Sequence, residues 1–174
     1  MGREIRKVPP HWEHPARDPE NDPYRHGGYQ PMYDEQFASK FAEWLADFDR
    51  IRAGDLTEFE RKYYPLGLAD WLLDDGVPPN PTYYRPYSDE EATWLQVYET
   101  VSEGTPVTPP FETAEELIRY LATNGDFWDQ KRGDSGWSYE AAKSFVGSGW
   151  APSMIVIQGG PDAGVYTAAT GFPS

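Results

Sequence analysis

The stretch WLQVYETVSEGTPVTPPFETAEELIRYLATN, residues 94–124, carries the clearest local structural signals in this chain of 174 residues. Its second half predicts a helix, because Thr113 and Glu116 have the spacing of a capping box and an apolar face follows them. The helix should end at Asn124-Gly125, since glycine tolerates the backbone conformation that closes a helix. We expect it to bury three aliphatic side chains, those of Leu117, Ile118 and Leu121.

The first half of the same stretch is ambiguous between helix and strand. Thr93, Val97 and Tyr98 favour a strand, although the alternation of apolar and polar residues is imperfect. The prolines at 106, 109 and 110 then favour an extended path, because a residue that precedes proline avoids the helical region. Structural roles of this kind are enough to explain the polar residues of the stretch.

A long helix is the strongest prediction upstream of this stretch. Large apolar side chains recur there at steps of three and four residues, which places them on one face of a helix over residues 34–54. Asp34 suits its start as an N-cap, and Gly54 suits its end. On the opposite face, Glu43 and Asp47 lie together, one turn apart.

Shorter elements are predicted elsewhere. An Asp-x-x-Glu capping box opens a second helix over 55–64, and 66–75 is predicted as a third short helix or turn. Residues 126–136 are predicted as a polar loop, and a helix follows from Ser138. The aliphatic run at 154–157 predicts a short strand.

The N-terminal region is predicted to be irregular. Prolines fall every few residues between Pro9 and Pro31, and a helix does not survive that spacing. Residues 1–33 are therefore predicted as an extended, aromatic-containing arm, and 34–174 as a single compact domain. The fold class that follows is mainly α with long irregular segments and little β, an α+β protein.

The bulk composition excludes several classes of protein. The chain has no cysteine, which excludes disulfides and thiolate zinc sites. Its first residues have no apolar run of the signal-peptide type, and no stretch approaches 18 apolar residues, so we expect no membrane span. Aromatic residues make up 16% of the chain, which is too many for a disordered protein.

The charge is strongly acidic and unevenly distributed. The net charge is −14, and residues 34–125 carry nineteen acidic and seven basic side chains, a net charge of −12. Such a surface repels nucleic acid, because it cannot release the counterions that drive phosphate binding. It attracts proteins that themselves bind nucleic acid. Solubility alone is the competing explanation of the acidity.

No set of residues predicts an active site, a metal site or a cofactor. The residues with metal-ligand chemistry lie on a proline-broken segment without the rigid spacing of a helix, and they are His11, Glu13, His14 and His26. The sequence GDSG at 133–136 is similar to the nucleophile motif of serine proteases, but the predicted fold lacks the necessary β frame. Adjacent acids such as Glu115 and Glu116 suit a helix start better than acid–base catalysis.

Partner contacts are predicted on an acidic helix face and in a loop rich in tyrosine and proline at 78–87. Tyrosine supplies large amphipathic contact area, and proline orders the loop in advance. The alternative is that the tyrosines cover a thin core. The predicted partner-binding residues are Glu43, Asp47, Tyr83, Tyr84, Tyr87 and Trp12.

Three segments carry a resemblance: GREIRKVPPHWEHP at 2–15, YQPMYDEQF at 29–37 and VYETVSEGTPVTPPFETAEELIRYLATNG at 97–125. They resemble an uncharacterised family of small proteins encoded by tailed bacteriophages and prophages. Its members share a G-R-E-I-R-x-V-P-x-x-W-x-H-P start and a central S-E-G-T-P motif ahead of a helix with an E-E-L pattern. The resemblance is vague over 38–93 and 126–174. It implies a viral origin and identifies no site residues.

A viral origin favours a protein that acts by binding. We expect a non-enzymatic acidic protein that blocks a host nucleic-acid-handling defence complex, of the anti-CRISPR or anti-restriction type, in the cytoplasm of the infected bacterium. Carboxylates would stand in for phosphates, which occur about every 1.7 Å along the axis of duplex DNA when both strands are counted. The alternative is a virion structural or assembly component, in which the arm contacts phage structural proteins. The third hypothesis is an enzyme of unrecognised type. It ranks last, because the sequence shows no set of nucleophile, base and oxyanion-stabilising residues.

Overall fold

The computed structural model describes residues 2–17, 28–100, 104–152, 154–157 and 164–167. The chain divides into two compact units. The sheet unit comprises Met1–Met32 and Tyr87–Ser174, and the central unit comprises Tyr33–Pro86. The central unit is therefore inserted between two segments of the sheet unit.

Strands and helices are interspersed along the chain. The strands are β1 (Gly2–Val8), β2 (Tyr33–Gln36), β3 (Tyr84–Arg85), β4 (Trp94–Glu99), β5 (Thr105–Pro106), β6 (Trp150–Pro152), β7 (Met154–Ile157) and β8 (Gly164–Thr167). The helices are α1 (Phe37–Arg52), α2 (Glu58–Tyr63), α3 (Leu68–Leu73), α4 (Ala114–Asn124), α5 (Phe127–Arg132) and α6 (Tyr139–Ser148). A short 3-10 helix spans Pro81–Tyr83. Within the described ranges, no helix has the length and apolarity needed to cross a membrane.

A four-stranded antiparallel sheet organises the sheet unit, in the order β5-β4-β1-β6. In the register of β1 and β4, Ile5 lies opposite Val97 and Val8 lies opposite Trp94. A two-stranded parallel pair joins β2 to β3 in the central unit, and β7 pairs with β8. The prediction of a mainly α fold with little β is therefore wrong, and the fold is a mixed α+β fold.

The N-terminal segment contributes the strand that lies between β4 and β6. The prediction of an irregular arm over 1–33 is wrong for β1, because the prolines begin only at Pro9 and leave the first eight residues free to pair. Apolar alternation gave no signal there, since β1 has the sequence GREIRKV and contains four charged residues. Arg3 and Arg6 are nevertheless buried.

One face of the sheet packs against the helices of the sheet unit. Val97 of β4 forms a core with Leu117, Ile118 and Leu121 of α4 and with Phe145 of α6. This confirms the predicted buried face of α4. Thr113 and Glu116 form the predicted capping box, and Gly125 closes the helix with a φ of 70°.

The opposite face of the sheet is covered by the segment that follows β1. Val8 and Tyr98 lie on this face and pack with Tyr87 and Trp12. The rings of Trp12 and Tyr87 are 4.8 Å apart, in an edge-to-face arrangement. The N-terminal segment thus packs on its own unit through Val8 and Trp12.

Gly104 of the SEGTP motif has a structural role on this face. Its φ is +93°, a region that favours glycine, and a Cβ atom there would collide with the guanidinium of Arg6. Its carbonyl oxygen accepts a hydrogen bond from the backbone N–H of Met32, at 3.0 Å. Ser102 and Glu103 of the motif lie outside the described residues.

Several predicted helix starts differ from the observed ones. Asp34 belongs to β2, so α1 begins later, at Phe37, without a side-chain cap. The capping box of α2 is formed by Thr57 and Glu60, two residues after the Asp-Glu pair that we expected. The predicted polar loop at 126–136 contains α5, which Asp126 caps.

Candidate partner-binding site

A cleft of about 500 Å³ opens in the central unit. Aromatic side chains from α1, α2, α3 and the tyrosine-rich loop form part of its walls, namely Trp44, Phe59, Tyr64, Trp71 and Tyr84. Four carboxylates line it as well, those of Glu43, Asp47, Glu60 and Asp75. The cleft therefore combines apolar contact area with negative charge.

The aromatic wall of this cleft is held by stacking and by one indole hydrogen bond. The ring of Trp44 lies 5.4 Å from that of Phe48 and 6.3 Å from that of Trp71, in stacked arrangements. Its Nε1 atom donates to the carbonyl oxygen of Gly76, at 3.0 Å. Stacked rings together with one directional bond fix the orientation of the indole.

A cluster of three charged side chains lines another part of the cleft. The guanidinium of Arg50 donates to both carboxylate oxygens of Glu60, at 2.6 and 2.9 Å, and to Asp47 at 3.0 Å. Arg50 is the main reason that the pKa of Glu60 falls to about 2, and the backbone hydrogen bond from Thr57 adds to the effect. Conversely, Glu60 raises the pKa of Arg50.

The shifted pKa of Glu60 predicts a pH-dependent loss of stability. A carboxyl group whose pKa is lower in the folded chain stabilises the fold fully above its ordinary value of 4.5, and this contribution disappears as the pH falls towards about 2. Urea unfolding of the wild type and of Glu60→Gln should therefore differ at pH 6 and converge by about pH 2. Glutamine retains the capping box, so the comparison isolates the charge. A constant difference across this range would contradict the assignment.

The carboxylate of Asp75 accepts a hydrogen bond from the hydroxyl of Tyr64. This bond, followed by burial, raises the pKa of Tyr64 to about 12, so the phenol remains protonated over the physiological range. Asp75 and Tyr64 therefore act as an ordered hydrogen-bonded pair in the cleft.

Glu43 and Asp47 are the more accessible carboxylates of the cleft. Their side chains are 63% and 56% exposed, and they pair with Lys40 and Arg50 one turn along α1. Exposed pairs of this type contribute little to stability, because water solvates both charges well. Both carboxylates can therefore exchange their present partners for a cation on another protein at low cost.

The structure brings three of the six predicted partner-binding residues to this cleft, namely Glu43, Asp47 and Tyr84. Tyr84 is largely buried there, and Tyr83 is half-buried in the 3-10 helix. Tyr87 and Trp12 belong to the sheet unit, where they pack against each other. Two of the loop tyrosines thus cover core, as the alternative interpretation of the loop expects.

Sequence reasoning did not identify the cleft residues whose position depends on tertiary structure. Trp44 belongs to the apolar stripe of α1, and nothing local in the sequence places it beside Gly76. Glu60 was visible in principle, because Thr57 and Glu60 have capping-box spacing. Its ion pair with Arg50 joins two helices and has no local signal.

The described histidine and glutamate side chains of the N-terminal segment do not form a metal-binding group. Both ring nitrogens of His14 have partners, at 3.0 Å from the hydroxyl of Tyr98 and 2.6 Å from the carbonyl oxygen of Gln30. The ring of His11 packs edge-to-face on Trp94, with centroids 4.5 Å apart. His26 lies outside the described residues. Within those residues, no group of three histidine or acidic side chains is placed to hold a metal.

No protein-family model, curated protein or solved structure matches this chain. A function must therefore be argued from the geometry and charge of the chain itself.

Proposed function

We propose that this chain is a non-enzymatic, phage-encoded acidic interaction protein that binds a basic surface of a host nucleic-acid-handling complex and inhibits it. The observation that carries the proposal is the cleft of the central unit, where exposed carboxylates and aromatic rings share one surface. A basic surface that normally holds nucleic acid is its complement in charge.

The charge of the central unit supports a basic partner. Residues 33–86 carry eleven acidic and six basic side chains, a net charge of −5. Glu43 and Asp47 lie on adjacent turns of α1, which spaces two carboxylates by roughly 6 Å along one helix face. Such spacing lets two basic side chains of a partner, each normally directed at a phosphate, reach one helix face.

Exposed apolar side chains support a protein partner. Among the described residues, most of the large exposed hydrophobic side chains belong to the central unit: Tyr33, Phe41, Leu45, Phe59, Tyr63, Leu66, Leu72, Leu73 and Val77. Protein interfaces bury apolar side chains at their centre and place charged residues at their rim.

Several carboxylates have structural partners, which supports binding over catalysis. Glu116 caps α4, Glu115 pairs with Arg119, and Asp75 accepts the hydroxyl of Tyr64. A carboxyl group that serves as a general acid near neutral pH needs a raised pKa and access to a substrate. Glu60, whose pKa is lowered, is held as an anion and is therefore unsuited to donate a proton near neutral pH.

Reversing the charge of Glu43 and Asp47 together should weaken partner binding at least tenfold. The tagged wild-type chain and the variant Glu43→Lys/Asp47→Lys would be incubated with bacterial lysate between about 50 and about 200 mM salt, a range over which nucleic-acid-type contacts weaken strongly. Retained proteins would be identified by mass spectrometry and then tested for displacement by duplex DNA. We expect DNA-displaceable nucleic-acid-binding proteins on the wild type only.

The control is Glu115→Lys/Glu140→Lys, which makes the same change in net charge at exposed positions of the sheet unit. It should retain the partner at close to wild-type levels. Equal losses in the two variants would indicate a nonspecific charge effect. If duplex DNA does not displace the retained proteins, inhibition through a nucleic-acid-binding surface is contradicted.

The virion-component hypothesis depended on a free N-terminal arm. The described part of that segment pairs in the sheet through β1 and packs onto Tyr87 and Tyr98. No contact of the described residues favours its use as a lacing arm, so we do not propose this function.

A further inference from the structure

A second cleft, of about 370 Å³, lies in the sheet unit. Aromatic side chains form much of its lining, those of Trp12, Tyr29, Tyr120 and Phe127. Tyr29 and Phe127 are about half exposed, so their rings face the opening as well as the protein. A volume and lining of this type match a site for a small ligand or for one large side chain.

The buried polar residues that line this cleft are held by internal hydrogen bonds. The side chains of His14 and Gln96 are both more than nine-tenths buried. Gln96 donates through Nε2 to the carbonyl oxygen of Thr108, at 2.8 Å, and its Oε1 lies 3.1 Å from the hydroxyl of Tyr98, which also contacts His14. This network fixes the inner surface of the cleft before any ligand binds.

The described side chains that line the inner surface carry no positive charge near neutral pH. Burial lowers the pKa of His14, and the nearby guanidinium of Arg6 lowers it further, against the raising effect of the hydrogen bond with Gln30. His14 therefore presents a neutral ring, which packs edge-to-face against Tyr29 at 5.4 Å and against Trp12 at 6.2 Å. Three neighbouring rings thus meet at one end of the cleft.

One carboxylate at the cleft has no partner in the described part of the chain. Glu13 lines the cleft and is exposed, and no described residue forms a hydrogen bond or an ion pair with it. No lysine or arginine is among the described residues that line the cleft. This differs from the central unit, where Lys40 and Arg50 already neutralise the exposed carboxylates.

We infer that the cleft of the sheet unit binds the guanidinium of an arginine side chain on a partner protein. A planar guanidinium stacks on aromatic faces and bonds a carboxylate through two parallel N–H groups. The rings of Trp12, Tyr29 and Tyr120 supply the faces, and Glu13 supplies the carboxylate. An anionic ligand would find no cation in the lining to balance its charge. This site is separate from the cleft of the central unit and does not depend on the function proposed for it.

Ring faces in this part of the chain already attract a cation. The Nζ atom of Lys131 lies 5.7 Å from the ring centroid of Phe127 and 5.3 Å from that of Trp128. Phe127 is therefore shared with an internal lysine, which leaves the other three rings as the main contacts for an incoming guanidinium.

An NMR titration of the full chain with N-acetyl-arginine methylamide tests the inference. We expect saturable shifts at the indole N–H of Trp12 and at the side-chain amide of Gln130, which also lines the cleft. The neutral isostere N-acetyl-citrulline methylamide should bind at least about tenfold more weakly, because it lacks the cation that the rings and the carboxylate attract. Equal binding of the two probes would show recognition of shape alone and would overturn the inference, as would an absence of shifts at these residues.

Two variants complete the test. Glu13→Gln removes the unpaired charge at an exposed position and should weaken binding of the arginine probe about fivefold or more, with the wild-type thermal stability retained. The matched control Glu140→Gln, on the exposed side of α6, should leave binding unchanged. If Glu13→Gln binds the arginine probe as tightly as the wild type, the carboxylate has no role and the inference fails. Reversing Glu43 and Asp47 should leave this binding intact, which separates the two sites.

Discussion

Replacing Asp126 by alanine should lower the free energy of unfolding by about 3–5 kcal/mol, because it leaves a buried arginine without its counter-charge. Asp126 is 2% exposed, and one of its carboxylate oxygens lies 2.6 Å from the Nε atom of Arg3. The other oxygen accepts the backbone N–H groups of Trp128 and Asp129, at 2.8 and 3.1 Å, and so caps α5. One carboxylate therefore links the start of β1 to the start of α5.

Urea unfolding followed by tryptophan fluorescence measures this loss. The control is Asp134→Ala, which removes an exposed carboxylate paired with Arg132 and should change stability by less than about 0.5 kcal/mol. The double variant Arg3→Met/Asp126→Asn removes both charges and retains an N-cap, so it should recover much of the loss. A loss below about 1 kcal/mol for Asp126→Ala would show that the pair is solvated in solution.

Replacing Leu117 by alanine should cost about 2–5 kcal/mol, the range observed when a fully buried leucine is truncated and a cavity remains. Leu117 lies on the buried face of α4 and is completely buried. It belongs to the same core as Val97 of the sheet and Phe145 of α6. The rigid sheet below it limits how far the surrounding side chains can close the cavity.

The matched control is Leu73→Ala, the same substitution at a side chain that is 86% exposed at the end of α3. It should change stability by no more than about 0.5 kcal/mol. Both variants would be measured by urea unfolding under the conditions used for Asp126. Similar losses at the two positions would mean that the burial of Leu117 is wrongly described or that Leu73 is covered in solution.

The elements that were predicted well are those whose signals lie within a few residues. The capping box of Thr113 and Glu116, the apolar face behind it and the closing glycine all belong to one helix, and each was confirmed. Ser138 likewise caps α6, and residues 154–157 form a strand. Capping bonds and helix faces connect near neighbours, so a local pattern is enough to predict them.

The strand β1 was missed because its stability comes from distant partners. Its charged residues suggest an exposed segment, yet the carboxylate that neutralises Arg3 lies 123 residues further along the chain. Arg6 rests on the ring of Tyr98, 4.5 Å from its centroid, and donates to the carbonyl oxygen of Met32. A buried charge is tolerated only when such partners are present, and spacing along the chain does not reveal them.

The candidate sites also combine features that are local in the sequence with features that depend on tertiary structure. Glu43 and Asp47 were predicted together because one turn of a helix separates them. Their meeting with Tyr84 and Glu60 in one cleft depends on how the helices of the central unit pack. The cleft of the sheet unit combines Trp12 with Tyr120 and Phe127, more than a hundred residues away, and no motif links them.

The sequence by itself determined the net charge of −14, its concentration in the middle of the chain, and the helices whose caps and apolar faces are local. Only the tertiary structure decided that the first strand lies inside the sheet, that Arg3 and Asp126 neutralise each other, and that Glu13 lies beside aromatic rings with no partner among the described residues. The physical reason is that secondary structure forms through contacts between near neighbours, whereas the charge balance of a buried or enclosed site depends on groups that folding brings together from distant parts of the chain.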